Sequence, residues 1–203
     1  MKMILKFICS LWLLLLLPAC DNGQQLSPLR PDAVILAFGD SLTYGTGADR
    51  QFSYPVQLER FLGRKVINAG VPGEVSVEGA RRLPGLLDQY QPELLLLCHG
   101  GNDLLRRLDR QQLRDNLRRM YEAANQRDIQ VVLIAVPQLG LLIDDAALYR
   151  QLADELQVPL VEDALTDLLS DNRYKSDHIH LNAVGYRKLA EEIAGLLRAR
   201  GAL

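Results

Sequence analysis

The chain has 203 residues, 48% of them hydrophobic and 24% charged, with 23 Lys and Arg against 25 Asp and Glu. This length holds one domain with a full core and a short extra segment, and the apolar share argues against a disordered chain. The formal charge of −2, which becomes −4 if a leader carrying Lys2 and Lys6 is removed, leaves no basic surplus of the kind nucleic-acid binding needs.

Met1 to Cys20 carries Lys2 and Lys6, then an apolar run from Leu11 to Leu17, then Pro18-Ala19-Cys20. A charged start, an apolar middle and a small residue before the cleavage point make a secretory signal. As a membrane span it is short, since a bilayer core takes roughly 20 apolar residues. Its end, Leu17-Pro18-Ala19-Cys20, resembles the lipobox of bacterial lipoproteins, which implies that Cys20 becomes a lipidated first residue of the mature protein. Export to the periplasm with a lipid anchor is therefore expected, ordinary cleavage and soluble release being the alternative. Cys9 leaves with the leader and Cys20 would be acylated, so Cys98, at the end of an apolar run, is expected to be an inert core thiol without a disulfide partner.

Residues 21–31, polar with Gly23, Pro28 and Pro31, read as a flexible tether, and the domain is expected over 32–203. Its first apolar run, Ala33 to Phe38, has the length of a buried strand and leads into Gly39-Asp40-Ser41-Leu42. A helix carrying Val56, Leu58, Phe61 and Leu62 stops at Gly63, and Val66-Ile67-Asn68 forms a second strand entering Ala69-Gly70-Val71-Pro72-Gly73. Val75 to Tyr90 reads as helix with a break at Pro84-Gly85. Pro92 introduces a third strand, Glu93 to Cys98, running into His99-Gly100-Gly101-Asn102-Asp103.

From Asp109 to Gln126 the residues Leu113, Leu117, Met120, Tyr121 and Ala124 share one helix face, and Arg106, Arg107, Arg110, Arg114, Arg118 and Arg119 line the other. A solvated face and a surface for anionic head groups are both open readings of these arginines. Gln130 to Val136 reads as a fourth strand, Asp144 to Leu156 as a helix and Pro159 to Val161 as a short fifth strand. The segment between, with Leu139, Leu141, Leu142 and Ile143, is apolar enough to line an acyl pocket or to pack on the core. The last helix, Asn182 to Arg198, buries Tyr186, Leu189, Ala190, Ile193, Leu196 and Leu197, with Asn182 as its N-cap. Strands alternating with helices imply an α/β fold: a three-layer α/β/α sandwich around a parallel sheet of about five strands. Ligands bind at the carboxyl ends of such strands, and three polar loops, 39–43, 68–73 and 99–103, end there together.

A hydroxyl at a strand end can serve as a nucleophile if a base and an orienting acid reach it, though a lone Ser there can equally cap a helix. The three histidines are His99, His178 and His180. In Asp177-His178-Ile179-His180 a turn lets the carboxylate at i reach the ring at i+3, while i+1 points away. This spacing selects His180 as base for Ser41 with Asp177 orienting it, and leaves His178 aside. Oxyanion donors are available in the backbone N–H of Ser41, the backbone of Gly70, which lacks a Cβ, and the amide of Asn102. His99 reads as a loop histidine bonded to backbone.

Gly39-Asp40-Ser41-Leu42, Asn68-Ala69-Gly70, Gly100-Gly101-Asn102-Asp103 and Asp177-His178-Ile179-His180 together resemble the four blocks of the SGNH (GDSL) hydrolase family, across nearly the whole domain. The resemblance implies a flavodoxin-like sandwich and an ester hydrolase. It makes Ser41 the nucleophile, His180 the base and Asp177 its acid, with Ser41, Gly70 and Asn102 as oxyanion hole. It is nearest to bacterial enzymes described as arylesterase, thioesterase and lysophospholipase. Leu181-Asn182 follows the base where that subgroup often has Pro-Asn.

The expected partner is a small acyl ester or lysophospholipid met by a monomer held at a membrane through Cys20. A glycan or peptidoglycan O-acetylesterase and a non-catalytic lipoprotein binding module are the alternatives. Neither cofactor nor metal is expected. Asp40, His99, Asn102, Asp103, Asp177, His178 and His180 could all ligate a cation, as in a phosphoesterase, but no pair of them has metal-site spacing.

Overall fold

A computed structural model of the protein describes residues 24–138, 144–145 and 147–203, so the leader with Cys20 and the apolar Leu139 to Ile143 segment lie outside the described residues. The elements run β1 (Val34–Gly39), α1 (Ser41–Tyr44), a 3₁₀ turn at Arg50–Phe52, α2 (Tyr54–Leu62), β2 (Lys65–Gly70), α3 (Ser76–Tyr90), β3 (Leu94–Cys98), α4 (Gly101–Leu105) and α5 (Arg110–Asn125). They continue with β4 (Gln130–Ile134), β5 (Pro137–Gln138), β6 (Asp144–Asp145), α6 (Ala147–Leu156), β7 (Leu160–Val161), α7 (Ala164–Ser170) and α8 (Ala183–Ala199).

Five parallel strands form one sheet in the order β2-β1-β3-β4-β7. The most apolar strand, Leu94-Leu95-Leu96-Leu97-Cys98, takes the centre, where a strand is covered on both faces, and every residue of it is buried. Helices α2 and α8 pack together, α3 packs on α5, and the sheet lies between these pairs. The strand order is flavodoxin-like, with the chain reversing its direction of growth between β1 and β3. Gly39 is in register with Gly70 on one side and Cys98 on the other, so the three polar loops leave the sheet at the same level. A small antiparallel pair, β5 with β6, stands beyond the end of β4.

Several boundaries differ from the sequence reading. Helix α3 runs unbroken through Pro84. A proline inside a helix forfeits one backbone bond, but burial of Gly79, Leu83 and Leu87 along the same face carries the helix through. α4 and α7, too short to show a period, and the β5–β6 pair were not legible as elements.

The segment expected to be a tether is docked from Leu26 onward. Leu26 and Leu29 are buried, and their N–H groups donate to the carbonyls of Arg200 (2.8 Å) and Ala202 (2.9 Å). Ser27 N–H donates to Gln130 Oε1 at 2.6 Å, and Arg30 pairs with Glu93. Two apolar residues within a polar stretch are a weak signal, and only the groove beside the carboxyl terminus gives them a place to bury.

The arginine face of α5 is largely tied to the protein itself. Arg114 and Arg118 both reach Glu155 at 2.6 Å, and Arg118 also meets Asp115 at 3.0 Å. Arg110 donates to Gln138 Oε1 (2.5 Å), and Arg106, which the structure places at the end of α4 rather than on α5, donates to the Gly73 carbonyl (2.9 Å). Cys98 is a free, fully buried thiol whose pKa burial pushes up, which leaves it inert as expected.

Candidate active site

Ser41 opens α1 directly after β1. Asp40 caps this short helix, its Oδ1 accepting from Leu42 N–H at 3.1 Å. The cap falls to Asp40, which leaves the Ser41 hydroxyl for another partner. His180 Nε2 lies 3.0 Å from Ser41 Oγ, and His180 Nδ1 lies 2.8 Å from Asp177 Oδ2. The other carboxylate oxygen of Asp177 accepts from the N–H groups of Ile179 and His180, each at 2.8 Å. Burial would raise the Asp177 carboxyl, but hydrogen bonds from the His180 ring and these two N–H groups outweigh it and hold the pKa below its ordinary value. His178 is exposed and stands apart.

The loop carrying Asp177 and His180 is braced from both ends. Ser176 N–H donates to the His180 carbonyl (2.9 Å), and the Asn182 side chain accepts from Gly185 N–H (3.0 Å) while donating to the Arg173 carbonyl (2.9 Å). The loop after α1 presses on it from the other side. Gly47 has φ +97°, and a Cβ there would sit 2.1 Å from Ser176 Oγ and 2.6 Å from the Leu181 carbonyl, so only glycine admits this approach. The Tyr186 hydroxyl donates to the Thr46 carbonyl at 2.7 Å and ties the loop after α1 to α8.

Ser41 and Asn102 line one cleft together with Asp40 and Gly101, and its walls are Leu42, Leu105, Val136, Pro137, Leu169 and Ile179. Asn102 Nδ2 donates to the Glu74 carbonyl at 2.9 Å and has a longer contact of 3.5 Å with Asp40 Oδ2. One amide hydrogen is thus well held and the other loosely held, so a stronger acceptor in the cleft can take the second. Gly70 stands at the level of Gly39, but its N–H donates to Asn68 Oδ1 at 3.0 Å and it is not part of the cleft wall. Gly70 meets an oxyanion only by sharing that N–H or releasing it from Asn68. An added Cβ at Gly70 would lie 2.1 Å from Tyr44 N, so the glycine lets β2 abut α1.

Two ionisable groups lie buried beside the cleft. His99 is fully buried, and its partner is the Glu74 side chain (Nε2 to Oε2, 3.1 Å) rather than backbone. Glu74 precedes α3 and showed no signal in the sequence, since a single acid in a loop has no period or motif. Asp40 is buried, and desolvation raises its carboxyl pKa above the ordinary value in spite of the nearby His99 and the N–H of Leu42. Asp103 accepts from Ser76 N–H (2.8 Å) and Ser76 Oγ (2.5 Å), so it secures the start of α3. Among the described residues no three His, Cys, Asp or Glu side chains converge as a metal site.

If Asn102 supplies an oxyanion donor, Asn102→Ala is expected to lower kcat by about 10²–10³ with little change in KM. Initial rates on p-nitrophenyl acetate check this, and a loss below about threefold would remove Asn102 from the role.

Residues 37–188 match the GDSL-like Lipase/Acylhydrolase family. The chain is similar to the Thioesterase 1/protease 1/lysophospholipase L1 of Escherichia coli K12, with 32% identity over 172 residues, which is 81% of this chain and 83% of that protein. Among solved structures it is similar to a crystal structure of TesA, with 25% identity and a TM-score of 0.74 over 82% of this chain and 99% of that one. It is also similar to AlinE4, described as an SGNH-hydrolase family esterase, with 32% identity and a TM-score of 0.64 over 83% and 96%. A family match over most of the domain, together with a relative 32% identical over most of its length, therefore places the chain in the GDSL-like lipase/acylhydrolase family of ester hydrolases.

Proposed function

We propose that the protein hydrolyses carboxylic esters through an acyl-enzyme on Ser41. The observation that carries this reading is the unbroken line from Asp177 through His180 to Ser41 Oγ beside an apolar cleft. Ser41 Oγ attacks the acyl carbon while its proton passes to His180 Nε2, and Asp177 holds the imidazolium that forms. The carbonyl oxygen becomes an oxyanion facing the N–H of Ser41, at the start of α1, and the loosely held hydrogen of Asn102. His180 returns the proton to the departing alkoxide. Water then adds to the acyl-Ser41 carbonyl with His180 again as base, the acid leaves and Ser41 is restored.

The apolar wall of the cleft supports an acyl group as the part of the substrate bound next to Ser41. A series of p-nitrophenyl esters from acetyl to palmitoyl, run on wild type and Ser41→Ala, tests the proposal. Turnover that extends beyond acetyl in the wild type and is lost in the variant is expected. Activity confined to acetyl groups on a glycan would favour the O-acetylesterase reading, and a Ser41 left unlabelled by a fluorophosphonate would favour a binding module.

Export and a lipid on Cys20 belong to the same proposal. The docking of Leu26 and Leu29 adds a geometrical consequence. They lie against the carboxyl terminus, with Ser27 and Arg30 tied to Gln130 and Glu93 where β4 and β3 begin, at the sheet edge opposite Ser41. The six residue steps from Cys20 to Leu26 span at most about 20 Å when extended, roughly the length of β1 alone. A lipid at Cys20 would thus hold the domain with Ser41 facing away from the anchoring leaflet, which favours esters arriving from solution. Cys20→Ser is expected to move the protein from membrane to soluble fraction with p-nitrophenyl ester turnover unchanged. Retention of that variant in membranes would sink the anchor.

A further inference from the structure

A second polar cluster lies behind the cleft, built on Glu74. The Glu74 side chain is 7% exposed, and its carboxylate is gripped from two sides. Arg82, one face along α3, donates Nε to Oε1 (2.8 Å) and Nη2 to Oε2 (2.6 Å), while His99 Nε2 stands 3.1 Å from Oε2. Burial alone would raise the Glu74 carboxyl, but the bonds from His99 and Arg82 and the Arg82 charge outweigh it and hold it below its ordinary value. The Arg82 guanidinium lies 4.3 Å over the ring of Phe38, and that ring meets His99 at 5.7 Å. Gly79 makes room for the arrangement, since a Cβ there would come 2.5 Å from His99 Nε2.

The cluster touches Asn102 at one end and the residue before Gly70 at the other. Main-chain oxygen of Glu74 is the acceptor that holds Asn102 Nδ2 at 2.9 Å. Arg82 Nη2, while bound to the carboxylate, also donates to the carbonyl of Ala69 at 3.1 Å, the residue before Gly70. His99 sits three residues before Asn102 at the end of β3. The buried His99 Nδ1 has no hydrogen-bond partner. With Nε2 turned to a carboxylate, the network assigns a proton to Nε2, which donates to Glu74.

We propose that Glu74 is a positioning residue for the oxyanion site: its carboxylate, clamped by Arg82 and His99, sets the placement of the Asn102 amide relative to the Gly70 strand end. This rests on the reading of Asn102 as an oxyanion donor. Glu74 touches no substrate, so its effect passes entirely through Asn102 and the strand end. Displacing a reacting group by 1 Å can cost about 10² in rate, and the smaller shift that loss of one clamp allows is expected to cost about tenfold.

The test is a double-mutant cycle with p-nitrophenyl acetate, comparing Glu74→Gln, Asn102→Ala and the pair, each checked for native circular dichroism. Glu74→Gln is expected to lower kcat about tenfold with KM changed less than about twofold, and to cost less than about twofold when Asn102 is already alanine. A merely structural role predicts the same fold-loss in both backgrounds, and that result overturns the proposal. So does full activity of Glu74→Gln while Asn102→Ala is impaired. Full activity of Asn102→Ala would show that the oxyanion assignment itself had failed, and the proposal with it. Should Glu74→Gln not fold, Arg82→Gln carries the same cycle from the more exposed side of the cluster, where Arg82 is 28% exposed.

Discussion

Replacing His180 by alanine is expected to lower kcat by about 10⁶ with KM nearly unchanged, while His178→Ala leaves both within about twofold. The two rings are two residues apart and chemically the same, so the contrast isolates geometry. His180 stands 3.0 Å from the Ser41 hydroxyl, whereas His178 is exposed to solvent. A hydroxyl is a weak nucleophile unless its proton leaves as the bond to carbon forms, and in this cleft the only base placed for that proton among the described residues is His180. Ser41→Ala should lose as much, and the double variant no more than either, because the two side chains act as one unit. The measurement is kcat on p-nitrophenyl butyrate with active-site titration. An inactive His178→Ala beside an active His180→Ala would overturn the assignment.

Asp177→Asn is expected to be more damaging than Asp177→Ala, by a factor of ten or more in kcat on the order-of-magnitude scale of triad substitutions. The reason lies in what Asp177 Oδ1 already does. It accepts from the N–H groups of Ile179 and His180, and an asparagine oxygen can keep both bonds. The asparagine NH₂ would then face His180 Nδ1, which must accept and so pushes its proton to Nε2, where Ser41 needs a vacant lone pair. Alanine removes the orienting group without enforcing the wrong tautomer, and water reaches the gap because Asp177 is 51% exposed. Hydrogen bonds from His180 and the two N–H groups hold the Asp177 pKa below the ordinary carboxylate range, so any change in kcat near neutrality is not a titration of this carboxyl. Comparison of the two variants at constant pH checks the order, and equal or inverted losses would show that Asp177 does not select the tautomer.

Both variants depend on residues legible in the sequence, and the reason is local. The i to i+3 relation of Asp177 and His180 is closed within one turn, so its geometry follows from chain connectivity. The Asn182 cap of α8 and the Asp109 cap of α5 are equally local. The apolar run at Leu94 to Cys98 implied a strand covered on both faces, and it lies at the centre of the sheet. Alternation of such runs with amphipathic helices carried the fold class, because the periods of burial are properties of neighbouring residues.

Other features depend on contacts between distant parts of the chain. Pro84 reads as a break because its missing N–H is a local fact, yet packing of Leu83 and Leu87 overrides it. Leu26 and Leu29 read as tether because the groove that buries them is made by residues near 200. His99 reads as a loop histidine because its partner Glu74 is 25 residues away.

By itself, then, the amino-acid order determined the fold class, the parallel sheet, the three loops at one edge and the Asp177–His180 pair, since each follows from periodicity or from turns a few residues long. Only the tertiary structure decided that His180 reaches Ser41 across 139 residues of chain, and that Asn102 shares the cleft with Ser41. It also decided that Glu74, with Arg82 and His99, stands behind the oxyanion donors. Distances of this kind are set by how the strands stack in register and how tightly the loops close over them, and no short stretch of sequence encodes either.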